Sequence, residues 1–296
     1  MNRIFFAVLF IASFALQLQA DEIATPATPS KPIQRIVSLA PSCTEILAGL
    51  KVQSKIVGIT EHTDYPSEVL NLPVVGSYVN LNLEAIVSLK PDLVVATDDG
   101  NPLEIVKRIQ EFSIPVFVLK LRTYEGIQQS ILALGKFLNA EANAREQVDL
   151  MARVADCIRT KTYSAKKPSV LFVYESYPIV TAGAGTFTDQ LIEMAGGKSI
   201  THDVKISYPR LTIENIIAKD PDIIIESSMD PNAEEEVKLS WWKQWGVLTA
   251  VRQNRVFLLD STNLDRPSQR IVRGFLQLAR TLHPQQLSDD TCLTKQ

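Results

Sequence analysis

One segment of this chain occurs twice, and the repetition constrains the fold more than any other feature of the sequence. Leu83-Glu84-Ala85-Ile86-Val87-Ser88-Leu89-Lys90-Pro91-Asp92-Leu93-Val94-Val95 aligns with Ile213-Glu214-Asn215-Ile216-Ile217-Ala218-Lys219-Asp220-Pro221-Asp222-Ile223-Ile224-Ile225. Glu, Ile, Pro and Asp fall in register, 130 positions apart. Asn82 and Thr212 precede the two copies, and each can cap a helix through its side chain. The residue before a proline is biased away from helical geometry, so each copy reads as a helix, a Pro-Asp stop and a strand. One such unit in each half implies two lobes built on a single plan.

The flanking sequence follows the same grammar. Short apolar, β-branched runs at 35–39, 92–96 and 115–119 alternate with helical stretches such as 102–112. The pattern restarts at 169–173, 179–181, 222–225 and 255–259. Alternating strands and amphipathic helices predict α/β structure with largely parallel sheets. Between the halves, 141–165 contains no Pro or Gly, and Ala144, Val148, Met151, Ala155 and Ile158 recur at alternating four- and three-residue spacing. That is one buried stripe on a single long helix, a stiff strut rather than a flexible hinge. The expected fold is two three-layer α/β lobes joined by one backbone helix.

The termini add a compartment. Met1-Asn2-Arg3 carries one positive charge, 4–16 is apolar except for Ser13, and Gln17-Leu18-Gln19-Ala20 ends in a small residue before Asp21-Glu22. This layout predicts a secretory signal peptide over 1–20, since a spanning helix needs ~20 apolar residues. Residues 21–33 read as a flexible leader, followed by a first lobe over 34–140, the connecting helix over 141–165, a second lobe over 166–286 and a tail over 287–296.

Several function classes are excluded by composition. The formal charge of -3, with Lys and Arg scattered, argues against nucleic acid as a partner. Cys43, Cys157 and Cys292 form no CxxC pair, and the odd number leaves at least one unpaired. Cys43 and Cys157 fall within helices and read as small buried residues; whether any two of the three pair stays open. No G-x-S-x-G elbow or H-E-x-x-H motif occurs, and the three histidines are dispersed. The expectation is therefore a binding protein without a metal site, not an enzyme. A secreted α/β hydrolase using Glu84 and Glu214 as a carboxylate pair is the alternative from another class.

Arg35-Ile36-Val37-Ser38-Leu39-Ala40-Pro41-Ser42-Cys43-Thr44-Glu45-Ile46-Leu47 resembles the opening strand and helix of the periplasmic binding proteins with a helical backbone, which serve importers of cobalamin, iron-siderophores and haem. Val57-Gly58-Ile59-Thr60-Glu61-His62-Thr63-Asp64-Tyr65-Pro66, Gly76-Ser77-Tyr78-Val79-Asn80-Leu81-Asn82-Leu83-Glu84 and Asp265-Arg266-Pro267-Ser268-Gln269-Arg270 extend the resemblance over residues 34 to 284. The Asp-Tyr-Pro and Tyr-Val-Asn-x-Asn-Leu-Glu stretches are most similar to the cobalamin-binding branch. The resemblance implies a monomer in the periplasm that hands cobalamin or a related corrinoid to an ABC importer, a permease dimer with its ATPase subunits. The corrinoid is then cargo, and no cofactor is implied. Haem or a ferric siderophore is the alternative cargo.

The resemblance also implies site residues. Glu84 and Glu214 would dock onto arginines of the two transporter subunits; without it, the helix dipole alone accounts for a first-turn carboxylate, at roughly 0.3–1 kcal/mol. Ligand contacts are implied at His62, Tyr78 and Thr97 in the first lobe and at Val180, Tyr208, Thr262 and Arg266 in the second. His62 and Thr97 depart from the Tyr and Trp that the family can carry there, which leaves room for another chelate. An imidazole at 62 could ligate a metal; the simpler expectation is a loop residue beside Asp64. His202 and His283 read as surface loop and helix-end residues. Asp98-Asp99-Gly100-Asn101 reads as a turn that either borders the cleft or only joins a strand to a helix. Trp241, Trp242 and Trp245 read as a packing cluster.

Overall fold

The computed structural model describes residues 26, 31–228, 239–288 and 292–293. The expected signal peptide and most of the leader and tail lie outside them. Among the described residues no helix is long and apolar enough to cross a membrane.

The first lobe is a four-stranded parallel sheet of β1 (Ile36–Ser38), β2 (Ile56–Gly58), β3 (Leu93–Thr97) and β4 (Val116–Leu119), ordered β2-β1-β3-β4. Its helices are α1 (Pro41–Gly49), α2 (Leu83–Ser88), α3 (Leu103–Glu111) and α4 (Tyr124–Phe137). A single helix, α5 (Glu141–Thr162), leads to the second lobe. There β5 (Ser169–Ser176), β6 (Ile179–Thr181), β7 (Lys198–Ser199), β8 (Arg210–Leu211), β9 (Ile223–Ser228) and β10 (Val256–Asp260) order as β10-β9-β5-β6-β8, with β7 also on β5. The helices here are α6 (Phe187–Met194), α7 (Ile213–Lys219), α8 (Thr249–Arg252), α9 (Ser261–Leu264) and α10 (Ile271–Leu282).

The repeated segment does the same physical job in both lobes. Asn82 Oδ1 accepts from the Ala85 amide at 3.0 Å, and Thr212 Oγ1 accepts from the Asn215 amide at 3.4 Å, so both predicted caps form. Each copy then turns through a left-handed residue before its proline, Lys90 at φ 47° and Asp220 at φ 38°. The following aspartate pins the first strand of its own lobe. Asp92 Oδ2 accepts from the Gln34 and Arg35 amides, both at 2.9 Å, where β1 begins. Asp222 Oδ2 accepts from the Ser169 amide at 2.8 Å and its hydroxyl at 2.9 Å, where β5 begins. Ile36 pairs with Leu93, and Val170 with Ile223, in matching parallel registers.

Both sheets are covered on two faces, which makes each lobe three-layered. Every residue of β3 is buried. Ile86, Val94, Ile109 and Val116 pack on the outer face of the first sheet, and Leu171, Ile216, Ile224 and Trp242 on that of the second. The inner faces share one continuous core that runs from Ile36 and Leu47 through α4 and α5 to Phe172, Phe275 and Leu282. The lobes therefore do not hang from α5; their hydrophobic cores merge around it.

The largely parallel sheets hold, with an antiparallel edge on the second, and three other expectations need correction. The strut ends at Thr162 rather than 165, because the chain must straighten ahead of Pro168 to enter β5. Its buried stripe centres on Ala144, Met151, Val154 and Ile158, with Val148 and Ala155 only partly covered, since α4 and α10 pack on it from two directions. The antiparallel edge of the second sheet begins where Tyr177 and Pro178 alone link β5 to β6, since two residues can close a hairpin but not a parallel crossover. Cys157 is not a free buried residue; it bonds Cys292, with Cα atoms 5.6 Å apart, and ties the tail to α5 beside the buried Leu287. Cys43 is the free cysteine, and burial pushes its thiol up to about 12.

Two minor expectations divide. Trp242 is fully buried and donates its indole N–H to Glu226 Oε1 at 2.6 Å, while Trp241 packs edge-on against it, so this is a packing cluster. His283 ends α10 as expected but is buried, with Nε2 3.2 Å from the Gly196 carbonyl; desolvation lowers its pKa. His202 is exposed and pairs at 3.1 Å with the buried Asp189.

Candidate ligand cleft

A cavity of 290 Å³ opens between the lobes, lined by 40–42, His62, Tyr78 and Asp99 from the first and by Ser261 and 265–267 from the second. Its walls are the C-terminal ends of β1, β3 and β10, where open α/β sheets present their loops and collect ligands.

The first-lobe wall is held by Asn101. Its Nδ2 donates to the Leu39 carbonyl at 2.9 Å and the Tyr78 carbonyl at 2.7 Å, and its Oδ1 accepts from the Thr97 amide at 2.8 Å. One amide thus gathers the ends of β1 and β3 and the loop that carries Tyr78. Gly100, at φ 108°, lies under the Tyr78 ring so closely that a Cβ there would sit 2.3 Å from it. The turn at 98–101 therefore does border the cleft.

The two lobes are clamped beside the cavity by a polar network. Glu45 on α1 is 1% exposed and accepts from Arg270 Nη1 at 2.7 Å and from the Ser268 hydroxyl. Its backbone carbonyl accepts from Gln269 Nε2 at 2.7 Å. Arg266 pairs with Asp64, donates to the His62 carbonyl at 3.1 Å and stands 3.5 Å from Glu45. Arg270 also lies over the Tyr65 ring at 4.3 Å. Burial pushes the Glu45 carboxyl up, against donation from Ser268 and the charges of Arg270 and Arg266. Asp64 and Glu45 raise the Arg266 pKa against the effect of its burial.

Other titratable groups crowd the cavity. Asp265 is exposed on the cavity wall, yet the protein packed around it desolvates its carboxyl. That desolvation, reinforced by Asp260, pushes its carboxyl up to about 6 against donation from Ser227 Oγ at 2.6 Å and the Arg266 charge. Desolvation raises Asp99, with Arg122 opposing and Asp98 adding. Tyr208 is raised by burial, then by Asp99 and Tyr78. It stacks edge-on against Tyr174 at 5.7 Å, and the Tyr174 hydroxyl is 2.6 Å from Thr188 Oγ1.

Of the residues implied for ligand contact, the fold brings His62, Tyr78 and Arg266 to the cavity and sets Tyr208 near Asp99 and Tyr78. The other three lie away from this lining. Thr97 is 3% exposed and its Oγ1 accepts from the Asp99 amide at 3.1 Å; Thr262 donates its hydroxyl to Asp260 Oδ1; Val180 is half-buried on β6. Asp99 and Asp265 are the lining carboxylates that no periodicity or spacing marks. Among the described residues no cluster of metal-ligating side chains forms. Glu84 and Glu214 lie exposed in the first turns of α2 and α7; the Glu214 pKa is lowered by the Thr212 hydroxyl and its own backbone amide.

Two α/β lobes around one backbone helix, with a polar cleft between them, define a two-lobed solute-binding protein. The chain belongs to the periplasmic binding protein family, whose sequence profile matches residues 36–262, and it is a substrate-binding protein of the kind that serves ABC importers. It is 29% identical over 262 residues to a vitamin B12-binding protein of Vibrio cholerae, covering 87% of this chain and 93% of that one. The crystal structure of the periplasmic vitamin B12 binding protein BtuF of Vibrio cholerae matches with a TM-score of 0.78 at 27% identity, covering 85% of this chain and 97% of that one. The periplasmic heme-binding protein RhuT from Roseiflexus sp. RS-1 matches with a TM-score of 0.74 at 25% identity, covering 85% and 98%.

Proposed function

We propose that this protein, exported and freed of residues 1–20, binds cobalamin or a related corrinoid between its lobes and delivers it to an ABC importer. The observation that carries the reading is the make-up of the cleft. Tyr78 and Tyr208 offer aromatic faces with phenol groups, and Asp99 and Asp265 offer acceptors from opposite lobes. A flat macrocycle fringed with amides suits both kinds of surface. The vitamin B12-binding relatives, which align over most of this chain, support the same cargo. Glu84 and Glu214 are exposed, equivalent in the two lobes and suited to paired cationic patches on a two-subunit permease.

Haem is the second reading, favoured by one feature. His62 lines the cavity, and its ring has no hydrogen-bond partner among the described residues, so it is available to an iron.

Uptake of a labelled corrinoid into proteoliposomes holding the importer tests delivery. Glu84→Lys with Glu214→Lys should abolish uptake while leaving corrinoid affinity in place, since removing one partner of a docked charge pair costs ~2–5 kcal/mol. Normal uptake by the double variant would remove the docking role.

A further inference from the structure

The cleft carries an unbalanced charge. Six carboxylates stand at or beside it: Glu45, Asp64, Asp98, Asp99, Asp265 and Asp260, the last accepting from the Thr262 amide and hydroxyl and from Asn263. Three have cationic partners. Glu45 is paired with Arg270, Asp64 with Arg266, and Asp98 with Arg122, whose Nε is 3.7 Å from Oδ2 and whose Nη2 donates to the Asp98 carbonyl at 2.7 Å. Asp99 and Asp265 have no ion-pair partner among the described residues. The Asp99 carboxylate accepts no hydrogen bond from them either, and Asp265 accepts only from Ser227. Both line the cavity, one from each lobe, and the Tyr208 phenol near them feels both.

Two unpaired carboxylates facing one ligand space act in two directions. An incoming amide N–H can satisfy them, because an ionised carboxylate only accepts. An incoming carboxylate cannot, and meets like charge in a partly desolvated site. Resting on the reading of this cleft as a corrinoid site, we propose that Asp99 and Asp265 are specificity determinants. They admit macrocycles whose peripheral arms end in amides and reject those whose arms end in carboxylates. Haem, with its two propionates, falls in the rejected class. Arg122 and Arg266 offset this only in part, because Arg266, Arg270 and Arg122 are each paired with another carboxylate of the protein.

The test uses one macrocycle with two kinds of arm: dicyanocobinamide, whose arms are amides, and dicyanocobyrinic acid, whose arms are carboxylates. Affinities are read by tryptophan fluorescence at fixed ionic strength. The wild-type protein should prefer the amide form by at least about tenfold, the scale of discrimination that a like-charge contact provides. Asp99→Asn with Asp265→Asn keeps shape and acceptor oxygens, and should bring the ratio of the two affinities towards one. Glu146→Gln with Asp149→Asn, both exposed on α5, changes the net charge equally and should leave the ratio as in the wild type. Equal binding of the two corrins by the wild-type protein overturns the proposal without any variant. So does a ratio that survives in the cleft variant, or one that the α5 variant lowers as much. Binding of neither corrin overturns the corrinoid reading itself, a result distinct from equal binding.

Discussion

Glu45 is where a single substitution should loosen the two lobes. It is 1% exposed, accepts from Arg270 at 2.7 Å and from Ser268, and faces Arg266 at 3.5 Å. Breaking a buried ion pair by removing one partner typically costs ~3–5 kcal/mol, because the remaining charge is left uncompensated. Here the remaining charges have other company. Arg266 keeps Asp64, and Arg270 keeps the Tyr65 face and some water, with 22% of its side chain exposed. Glu45→Ala should therefore fall at the lower end, about 3 kcal/mol. Glu45→Gln retains the volume and a partner for Ser268, and should cost about half as much. For a folded body of roughly 250 residues, 3 kcal/mol corresponds to a melting point about 6–12 °C lower. Thermal unfolding followed by circular dichroism reads this directly. Loss of less than about 1 kcal/mol on Glu45→Ala, or equal loss with Gln and Ala, would refute the clamp, since an exposed or redundant pair contributes no more than that.

Three further outcomes follow from other parts of the structure. Cys157→Ser with Cys292→Ser opens a loop of 135 residues, for which the chain-entropy argument gives about 5 kcal/mol as an upper figure and ~2–5 kcal/mol as the usual range, measurable by urea unfolding. Gly100→Ala puts a Cβ 2.3 Å from the Tyr78 ring at a φ of 108°; it should lower both stability and ligand affinity, and an unchanged dissociation constant would show that Tyr78 makes no contact. Asp265, pushed up to about 6 from its ordinary 3.8, holds its proton more tightly folded than unfolded, so its contribution is present below pH 4 and lost as pH rises through 6; Asp265→Asn should flatten the stability profile over that window, and a profile that stays unchanged would refute the shift.

Much of the architecture was legible because it is written in local pattern. The caps at Asn82 and Thr212, the Pro-Asp stops and the long helix that begins at Glu141, though not its end at Thr162, each depend on residues within a few positions of one another. The role of the aspartate after each proline was not, because it acts on a strand 53 to 58 residues away. The clamp joins Glu45 to residues more than 220 positions later, and no periodicity relates them. The pairing of Cys157 with Cys292 is closed to sequence for the same reason. At the cleft, the turn at 98–101 was visible from its composition, but which of its carboxylates finds an arginine is set by Arg122, on the far side of β4 in the chain. Thr97 and Thr262 illustrate the converse: Thr97 ends β3 and Thr262 lies in α9 just after β10, and both spend their hydroxyls on neighbouring backbone or side chains.

Calorimetric titration of the exported protein with cyanocobalamin and, separately, with haemin tests the central reading most directly. It should show one corrinoid bound per chain and markedly weaker binding of haemin. Haemin bound one to one, with no heat from cyanocobalamin, would contradict it and assign the cleft to an iron chelate held by His62.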